Sequence, residues 1–459
     1  GILDDVWPDG IESGEPQFII KGDGVEKHDN DFESIEVRSF VDRVQALAAG
    51  EEGDPYDLLV ECMAPGIHGG ETMDRIKLAL ACQLFGAPRV EKADGTSFRG
   101  DIHQLLVGGP GTGKSSLMDA VAAYSPKVST VSGKNASKAG VTAAAVRDDF
   151  GDTEWSIEAG AFVQANKGVC IVDELDKVDP DVVSSLHSAL ERQRLSIAKA
   201  GITADLACET ALLGAANPEH ERFVENQNTI EQVPVGPAMR TRLDTIFVLR
   251  DQVDEEDDAA KVETMLNSIA SGDAVETSGF DDEDRIDPPL DREEIQAWVA
   301  YARQRHTVTF DMPTLHDRIA EYYTDIREQS KDTGAPVNLR KVGSILRYAL
   351  ASARIRLGDT VTDEDIDRAI GIVSTSLAQI GMTDDGKFTA DAGVAETVSQ
   401  ASRKERIKQA LDPEEPQSAA EIAASVGGVS ESTAAKELED MATTGDVLRP
   451  NQGEYRSID

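Results

Sequence analysis

Apolar residues recur along this chain with two different spacings. Between about residues 54 and 84 they return near every 3.6 positions, as in YDLLVECMAPGI and MDRIKLALACQLFG, which predicts helices. Farther along, four short unbroken apolar runs occur at 105–107, 169–172, 211–216 and 245–249. Runs of this kind, separated by helical and polar segments, are typical of buried parallel strands with crossover helices. We therefore predict an α/β fold built on a parallel central sheet.

Polar stretches separate further segments after the apolar runs. Residues 251–300 contain 17 acidic and 3 basic side chains, which predicts a solvated linker or insertion. Helical spacing returns near 290–378, including LRKVGSILRYALASARIRL, and a second polar stretch at about 379–400 precedes a last module. In that module, the Ser that begins 430–441 suits a helix N-cap, and the final residues suit a β-wing with an Asn-Gln-Gly turn.

The overall charge is strongly negative. The chain carries 85 acidic and 45 basic side chains, a net charge of −40. On its own, this surplus argues against nucleic-acid binding, in which Lys and Arg side chains pair with phosphates. One interpretation is a protein kept soluble in concentrated salt, where charges are screened within a few ångströms. The other is an ordinary acidic protein with a few solvated tracts.

The sequence lacks the signals of several other protein classes. No run of about 18 apolar residues is present, so we expect no transmembrane helix. The cysteines form no C-x2-C pair and the histidines no H-E-x-x-H spacing, so we expect no metal held by protein ligands alone. The first residue is Gly rather than Met, and we interpret the chain as a fragment or a processed product.

A glycine-rich stretch after the first apolar run matches the phosphate-binding pattern G-x4-G-K-[ST]. It comprises Gly108, Gly109, Pro110, Gly111, Thr112, Gly113, Lys114 and Ser115, followed by Ser116. A predicted strand precedes it and a predicted helix follows, so backbone N–H groups and the helix N-terminus would cradle phosphates. Lys114 would reach the β- and γ-phosphates of ATP, and the Ser115 hydroxyl would bind Mg²⁺. The alternative is a glycine-rich turn.

Acidic residues end the second apolar run, in GVCIVDELDK. Asp173 is placed to hold Mg²⁺, and Glu174 is placed to activate the attacking water as a general base. The alternative is two solvated acids in a loop, which so acidic a chain offers in many places.

Two weaker candidates follow. Asn217 ends the third run, where an amide can orient a water, although Asn-Pro also begins turns. Arg240 and Arg242 precede the fourth run, and an arginine supplied by a neighbouring subunit can stabilise phosphoryl transfer. Each arginine is as well explained by an ordinary salt bridge.

These elements, in this order, resemble an AAA+ ATPase, and the residues between them resemble the minichromosome maintenance (MCM) replicative helicases. ALERQRLSIAKAGITADL resembles the hairpin that precedes sensor 1 in that family, and GVTAAAVRDDFGDTEWSIEAGAFVQANKGVCIVDELDK resembles its helix-2 insertion and Walker B region. APGIHGGETMDRIKLALACQLFG and LRKVGSILRYALASARIRLGDTVTDEDIDRAI match the flanks. The resemblance covers about residues 54–375.

The resemblance implies a role for each matching residue. Lys114 and Ser115 belong to Walker A, Asp173 and Glu174 to Walker B, Asn217 is sensor 1, Arg242 is the arginine finger, Arg340 is a sensor 2 that acts in trans, and Lys199 is a pore residue that touches DNA. The family forms hexameric rings that hydrolyse ATP with Mg²⁺, move along single-stranded DNA and unwind duplex DNA during replication. Other replication proteins are implied partners, no membrane is implied, and the implied location is the cytoplasm, at an archaeal nucleoid.

The chain departs from the family pattern at several places. Gly109 replaces an Asp, Gly113 an Ala and Leu175 a Phe, and AMRTRLDTIF stands where the family has LLSRFDLIF. The spacing to the Leu-Asp pair favours Arg242 over Arg240 as the finger. The family's N-terminal domain is absent, so we expect a truncated or divergent relative, of halophilic archaeal origin.

The resemblance also divides the chain into segments. These are 1–50, the remnant of an N-terminal domain and a linker; 51–250, the AAA+ core with the helix-2 insertion and pre-sensor-1 hairpin; 251–290, an acidic insertion; 291–378, a helical lid with sensor 2; 379–400, a linker; and 401–459, a winged helix. The winged helix could bind DNA or protein.

The basic residues of the core gather near the expected pore elements. They are Lys134, Lys138, Arg147, Arg192, Arg194 and Lys199. A ring would repeat them around one strand, so a modest number per subunit could hold DNA; otherwise they are solvated loop charges.

Two other functions stay open: an AAA+ protein remodeller or chelatase-like motor, and a non-helicase replication scaffold switched by ATP.

Overall fold

The structure is a computed structural model. It describes residues 2–6, 17–21, 37–147, 155–199, 202–224, 229–250, 288–305, 308–310, 312–329 and 339–381, and short pieces between 407 and 456. The predicted acidic insertion therefore lies almost wholly outside the described residues, as do most of the predicted linker at 379–400 and most of the predicted helix at 430–441.

The described chain contains β-strands and α-helices in alternation. The strands are β1 (Ile2–Val6), β2 (Gln17–Lys21), β3 (Val90–Glu91), β4 (Ser97–Phe98), β5 (Gln104–Gly108), β6 (Val128–Ser132), β7 (Ala143–Arg147), β8 (Trp155–Ala159), β9 (Val169–Asp173), β10 (Arg194–Lys199), β11 (Ile202–Ala207), β12 (Ala211–Ala216), β13 (Thr245–Leu249), β14 (Gln417–Ser418), β15 (Leu448–Asn451) and β16 (Glu454–Arg456). The helices are α1 (Val37–Ala49), α2 (Pro55–Cys62), α3 (Gly70–Phe85), α4 (Lys114–Tyr124), α5 (Lys138–Val141), α6 (Ala161–Gln164), α7 (Pro180–Arg192), α8 (Pro237–Arg240), α9 (Arg292–Arg305), α10 (Met312–Gln329), α11 (Leu339–Ile355) and α12 (Asp363–Gln379).

A five-stranded parallel sheet forms the centre, in the order β13-β5-β12-β9-β6. The four predicted apolar runs are four of its strands, so the predicted α/β fold with a parallel sheet is confirmed. The fifth strand, β6, was not predicted. Its sequence VSTVS alternates exposed with partly buried residues because β6 lies at the edge of the sheet, where one side of the strand has no partner strand.

Helices cover both faces of the sheet, which is why its inner strands are mostly apolar and buried. Leu106, Leu213 and Phe247 belong to the core on one face, together with α3, α4 and the lid helices. Leu105 and Leu212 belong to the core on the other face, with α6 and α7. Successive strand residues point to opposite faces, so each strand contributes to both cores.

The predicted lid is a set of helices, α9 to α12, that packs against the β13 edge. The Ser376 hydroxyl accepts a hydrogen bond from the N–H of Ile246 at 2.8 Å and donates one to its carbonyl at 2.9 Å. Gln379 Oε1 accepts from the N–H of Val248 at 2.9 Å. Side chains of α12 thus satisfy the outer backbone groups of this edge strand.

Two hairpins project from the core. β10 pairs with β11 antiparallel, with Lys199 opposite Ile202 at its tip, which confirms the hairpin predicted before the third run. β7 pairs with β8 in the predicted helix-2 insertion.

The last module has a small core of its own and a three-stranded sheet, β14-β16-β15. The predicted β-wing corresponds to β15 and β16, which pair antiparallel. Most of the helices expected beside it fall on residues that are not described, so the winged helix stays a prediction. Within the described part of the chain, no helix combines the length and apolarity needed to span a bilayer.

Candidate functional site

The glycine-rich loop joins β5 to α4 through a backbone that only glycine adopts easily. Gly111 and Gly113 have φ of +82° and +83°. A Cβ on Gly108 would lie 2.6 Å from Thr112 Oγ1 and 2.7 Å from the Leu249 carbonyl oxygen. The loop is therefore packed tightly against its neighbours on one side, and α4 begins at Lys114 with its N-terminal N–H groups next to the loop.

Lys114 lies over its own loop. Its ammonium donates to the carbonyl oxygens of Gly108 at 2.5 Å and Gly109 at 2.7 Å. Partial burial lowers the pKa of Lys114, and the nearby carboxylates of Asp173 and Asp176 oppose that shift. The structure thus brings Lys114 close to the acids of the second motif. Ser115 and Ser116, in the first turn of α4, are exposed.

Asp173 is the last residue of β9, and Glu174 follows it in a left-handed conformation with φ 51°. The N–H of Glu174 donates to Asp173 Oδ1 at 2.8 Å. A non-glycine residue at positive φ is uncommon, and such strain is often found at functional sites.

Lys134 contacts the side chain of Glu174. Its ammonium lies 2.6 Å from Glu174 Oε1, and the Ser132 hydroxyl donates to Glu174 Oε2 at 3.3 Å. Lys134, one of the basic residues expected near the pore elements, thus pairs with the proposed general base. Both carboxylate oxygens of Glu174 therefore have a partner, while its side chain stays 24% exposed.

Asn217 directly follows β12, the strand between β5 and β9. Its backbone N–H donates to Asp176 Oδ1 at 3.2 Å. Because carboxyl ends of parallel strands meet at one edge of a sheet, the glycine-rich loop, Asp173, Glu174 and Asn217 lie at the same edge. We call this set, with Lys114, the phosphate half of the site.

The candidate residues Arg242 and Arg340 both contact Glu191, away from the phosphate half. Arg242 Nη2 donates to Glu191 Oε2 at 2.6 Å, and Arg340 Nη2 lies 3.4 Å from Glu191 Oε1. Arg340 also donates to the Thr241 hydroxyl at 3.3 Å. The hydrogen bond from Arg242 lowers the pKa of Glu191. We call Glu191, Arg242 and Arg340 the arginine half of the site.

Arg240 points into its own chain. It donates to the carbonyl of Ile230, and partial burial lowers its pKa. Arg240 therefore does not share the position of Arg242 beside Arg340.

Lys199 ends β10 at the tip of its hairpin; its side chain lies outside the described part. Near the base of the same hairpin, Arg194 Nη1 lies 2.6 Å from Asp205 Oδ2, so that charge is paired within the hairpin. Lys138 and Arg192 are exposed.

Several residues of the site were not found from the sequence. Asp176, Glu191 and the buried Asp244 touch or support the candidate residues through contacts between distant parts of the chain. The available signal was Asp244 itself, since an acid directly before a wholly apolar strand must be paired when it is buried.

Comparison with protein families assigns the two central segments. Residues 41–269 match the MCM P-loop domain and residues 293–377 match the MCM AAA-lid domain, which together make up about two thirds of the chain. The chain belongs to the MCM family. This membership confirms the resemblance seen in the sequence motifs.

Individual MCM proteins align over most of the chain. It is 33% identical over 358 residues to the DNA replication licensing factor MCM7 of Arabidopsis thaliana, covering 77% of this chain and 48% of that protein. It is 30% identical over 423 residues to the minichromosome maintenance protein MCM of Saccharolobus solfataricus, covering 88% of this chain and 58% of that protein. The chain spans about half the length of the curated relatives it matches.

The phosphate half fits a nucleotide with Mg²⁺. The glycine cradle leaves backbone N–H groups open to phosphates, and a Ser hydroxyl with an Asp carboxylate are hard oxygen ligands that suit Mg²⁺. No cluster of three His, Cys, Asp or Glu side chains able to hold a metal occurs among the described residues. Ser115 and Asp173 would hold the ion, and it would supply positive charge that neutralises charge on the phosphoryl group.

Proposed function

We propose that this chain is the ATP-hydrolysing motor of an MCM-type replicative helicase, working as a ring of six copies on DNA. One observation supports it most. The glycine-rich loop follows the carboxyl end of β5, whereas Arg242 precedes the amino end of β13, and Leu249 of β13 lies opposite Gly108. Five strand residues span about 16 Å. Arg242 therefore lies at the amino ends of the strands, whereas the phosphates bound by its own chain would lie at the carboxyl ends. An ATP site that uses Arg242 therefore needs two copies.

In such a ring, the two halves divide the reaction. The loop N–H groups and Lys114 hold the phosphates, Ser115 and Asp173 hold Mg²⁺, and Asn217 orients the water that Glu174 activates. The neighbour's Arg242 and Arg340 stabilise the charge that develops on the transferred phosphoryl group. Binding would exchange the bonds of Lys114 to its own loop carbonyls, and the Lys134–Glu174 pair, for contacts with nucleotide and water.

The DNA contacts would come from the pore hairpin. Lys199 is at the tip of β10–β11, and six copies would surround one strand with a ring of cations. Single-stranded DNA is the proposed track, duplex DNA the substrate and other replication proteins the partners. A replication role implies action at the nucleoid, in the cytoplasm of an archaeal cell.

The charge of −40 supports a halophilic setting in this proposal. The core segment from 101 to 250 carries 20 acids and 14 bases, so most of the excess lies outside it. In several-molar salt the screening length falls below about 3 Å, and only close contacts to phosphate survive. We propose the segment limits given by the sequence, including a winged helix at 401–459.

The experiment is strand separation by the purified chain in several-molar KCl, with ATP and Mg²⁺, on a forked duplex. We expect unwinding that depends on ATP, an ATPase rate raised by single-stranded DNA, and no unwinding by Lys114→Ala. An ATPase that single-stranded DNA leaves unchanged, without unwinding, would overturn the helicase and favour a protein remodeller. A monomer by mass measurement with ATP would favour an ATP-switched scaffold.

A further inference from the structure

A buried carboxylate lies directly behind the arginine half. Asp244 follows Arg242 by two residues, and its side chain is only 1% exposed. A buried carboxylate is unfavourable unless it is paired and hydrogen-bonded, so its partners are held firmly. Those partners come from two distant parts of the chain: the segment leading into β5, and the first turns of lid helix α11.

On the core side, Asp244 supports the backbone of Arg242. Its Oδ2 accepts from the N–H of His103 at 2.8 Å and lies 3.2 Å from Arg99 Nη2. The same Arg99 nitrogen donates to the carbonyl oxygen of Arg242 at 2.9 Å. Through Arg99, the carboxylate therefore fixes the peptide that carries the Arg242 side chain.

On the lid side, Asp244 holds the turn of α11 that carries Arg340. Its Oδ1 accepts from the Ser344 hydroxyl at 2.7 Å and from Arg347 Nε at 3.0 Å, and a second Arg347 nitrogen binds the same oxygen. The Lys341 ammonium donates to the backbone carbonyl of Asp244 at 2.8 Å. Lys341 directly follows Arg340, and Asp244 itself follows Arg242 by two residues. Each arginine therefore lies within two residues of Asp244 or of a residue bonded to it.

We propose that Asp244 is a positioning residue for ATP hydrolysis in the neighbouring subunit, because it fixes the spacing between Arg242 and Arg340. It touches no nucleotide itself. The inference rests on the proposed function, since it needs the arginines to act across an interface. Misplacing a group by about 1 Å can lower a rate about 100-fold. Lid movement is then transmitted to Arg242 directly, and the two arginines reach or leave the neighbour's phosphates together.

Mixed rings test this proposal. We expect Asp244→Asn to lower kcat about 10- to 100-fold while its own phosphate half still binds ATP, with KM within about twofold. Mixing it with Lys114→Ala should restore turnover, because about a quarter of interfaces then pair an intact phosphate half with intact arginines. A merely destabilised subunit would gain nothing from mixing, and that result would overturn the proposal.

A second mixture separates this proposal from the proposed function. Arg242→Ala and Lys114→Ala should restore turnover to each other. If they do and the Asp244→Asn mixture does not, only the positioning role falls. If they do not, the trans arrangement falls, and the positioning role with it.

Matched serine variants cover the case in which Asp244→Asn fails to fold. Ser344 and Ser352 are both buried on α11, but the Ser352 hydroxyl donates to Asp365 at 2.7 Å instead of Asp244. Ser344→Ala should lower kcat severalfold and regain it on mixing with Lys114→Ala, while Ser352→Ala should keep the kcat of the unmodified chain. Equal kcat values for the two variants would overturn the proposal.

Discussion

The phosphate half and the arginine half of this site are held in opposite ways. The phosphate half depends on backbone: glycine dihedrals, a helix N-terminus, and Lys114 bonded to the carbonyls of its own loop. The arginine half depends on side chains, with a wholly buried carboxylate behind it and Glu191 at its surface. The glycine-rich loop and Lys114 lie within a few consecutive residues, whereas Asp244 and Arg347, behind the arginine half, are 103 residues apart in the chain.

The difference shows which half can move. Groups fixed by a local backbone keep their geometry whatever the lid does. Arg242 and Arg340 are tied to both the lid and the core. They therefore change position only when the lid and the core shift together.

Removing the phosphate contact should have the largest effect. Lys114→Ala is expected to lower the ATPase rate at least about 1000-fold, because no other cation reaches the β- and γ-phosphates from this loop. Steady-state ATP hydrolysis measures it. Lys92→Ala, an exposed lysine outside both halves, is the control and should hydrolyse ATP at the normal rate. Substantial residual turnover in Lys114→Ala would place the site elsewhere.

Removing one arginine should lower the ATPase rate slightly less than Lys114→Ala does, and it should distinguish Arg242 from Arg240. Arg242→Ala is expected to lower kcat about 100- to 1000-fold, since it removes charge stabilisation from phosphoryl transfer. Arg240→Ala removes a bond to the Ile230 carbonyl and should mainly lower the melting temperature. Equal kcat losses in the two variants would remove the distinction drawn between them.

Acid should weaken the support that Asp244 gives to the arginine half. Burial alone would raise the pKa of Asp244, but Arg347 and Arg99 outweigh it and hold that pKa well below its usual range. A carboxyl with a lowered folded-state pKa contributes stability above its unfolded pKa of about 4 and loses it as pH falls through the folded value. We expect Asp244→Asn to unfold about 3 kcal/mol more easily at pH 7.

That difference should shrink as the pH drops below about 4, because the Asp244 carboxyl of the unfolded chain takes up a proton there while that of the folded chain stays ionised. Denaturant unfolding at several pH values measures it. Other carboxyl groups titrate in both proteins, so only the difference between them is informative. A constant difference down to pH 3 would contradict the lowered pKa.

Freeing the general base should have the smallest effect. Lys134→Ala removes the ammonium from Glu174 and should raise the ATPase rate without DNA about threefold, since Glu174 no longer exchanges an ion pair before it binds water. Lys138→Ala, on a neighbouring exposed position, is the matched control. A lower rate in Lys134→Ala would indicate that Lys134 supports the active arrangement.

The sequence predicted what depends on neighbouring residues. The glycine-rich loop with Lys114, and the pair Asp173 and Glu174, could be proposed from the sequence because each directly follows a predicted strand. Strand β6 was not found, because an edge strand alternates Val with Ser and Thr instead of forming an apolar run. The contact between Glu191 and Arg340 joins residues 149 apart, and no local pattern carries that information. The pairing of Lys134 with Glu174 joins residues 40 apart in the chain, and the sequence did not predict it for the same reason.

The capping of β13 by α12 has a consequence for synthesis of the chain. Ser376 lies 130 residues after Ile246, the residue whose backbone it satisfies. At about 5–20 residues per second, the ribosome finishes Ile246 of β13 roughly 6–26 s before it adds Ser376 of α12. During that interval the nascent sheet has an open edge able to pair with another nascent chain. Chaperone capture on polysomes should therefore be strongest between the end of β13 and the end of the lid.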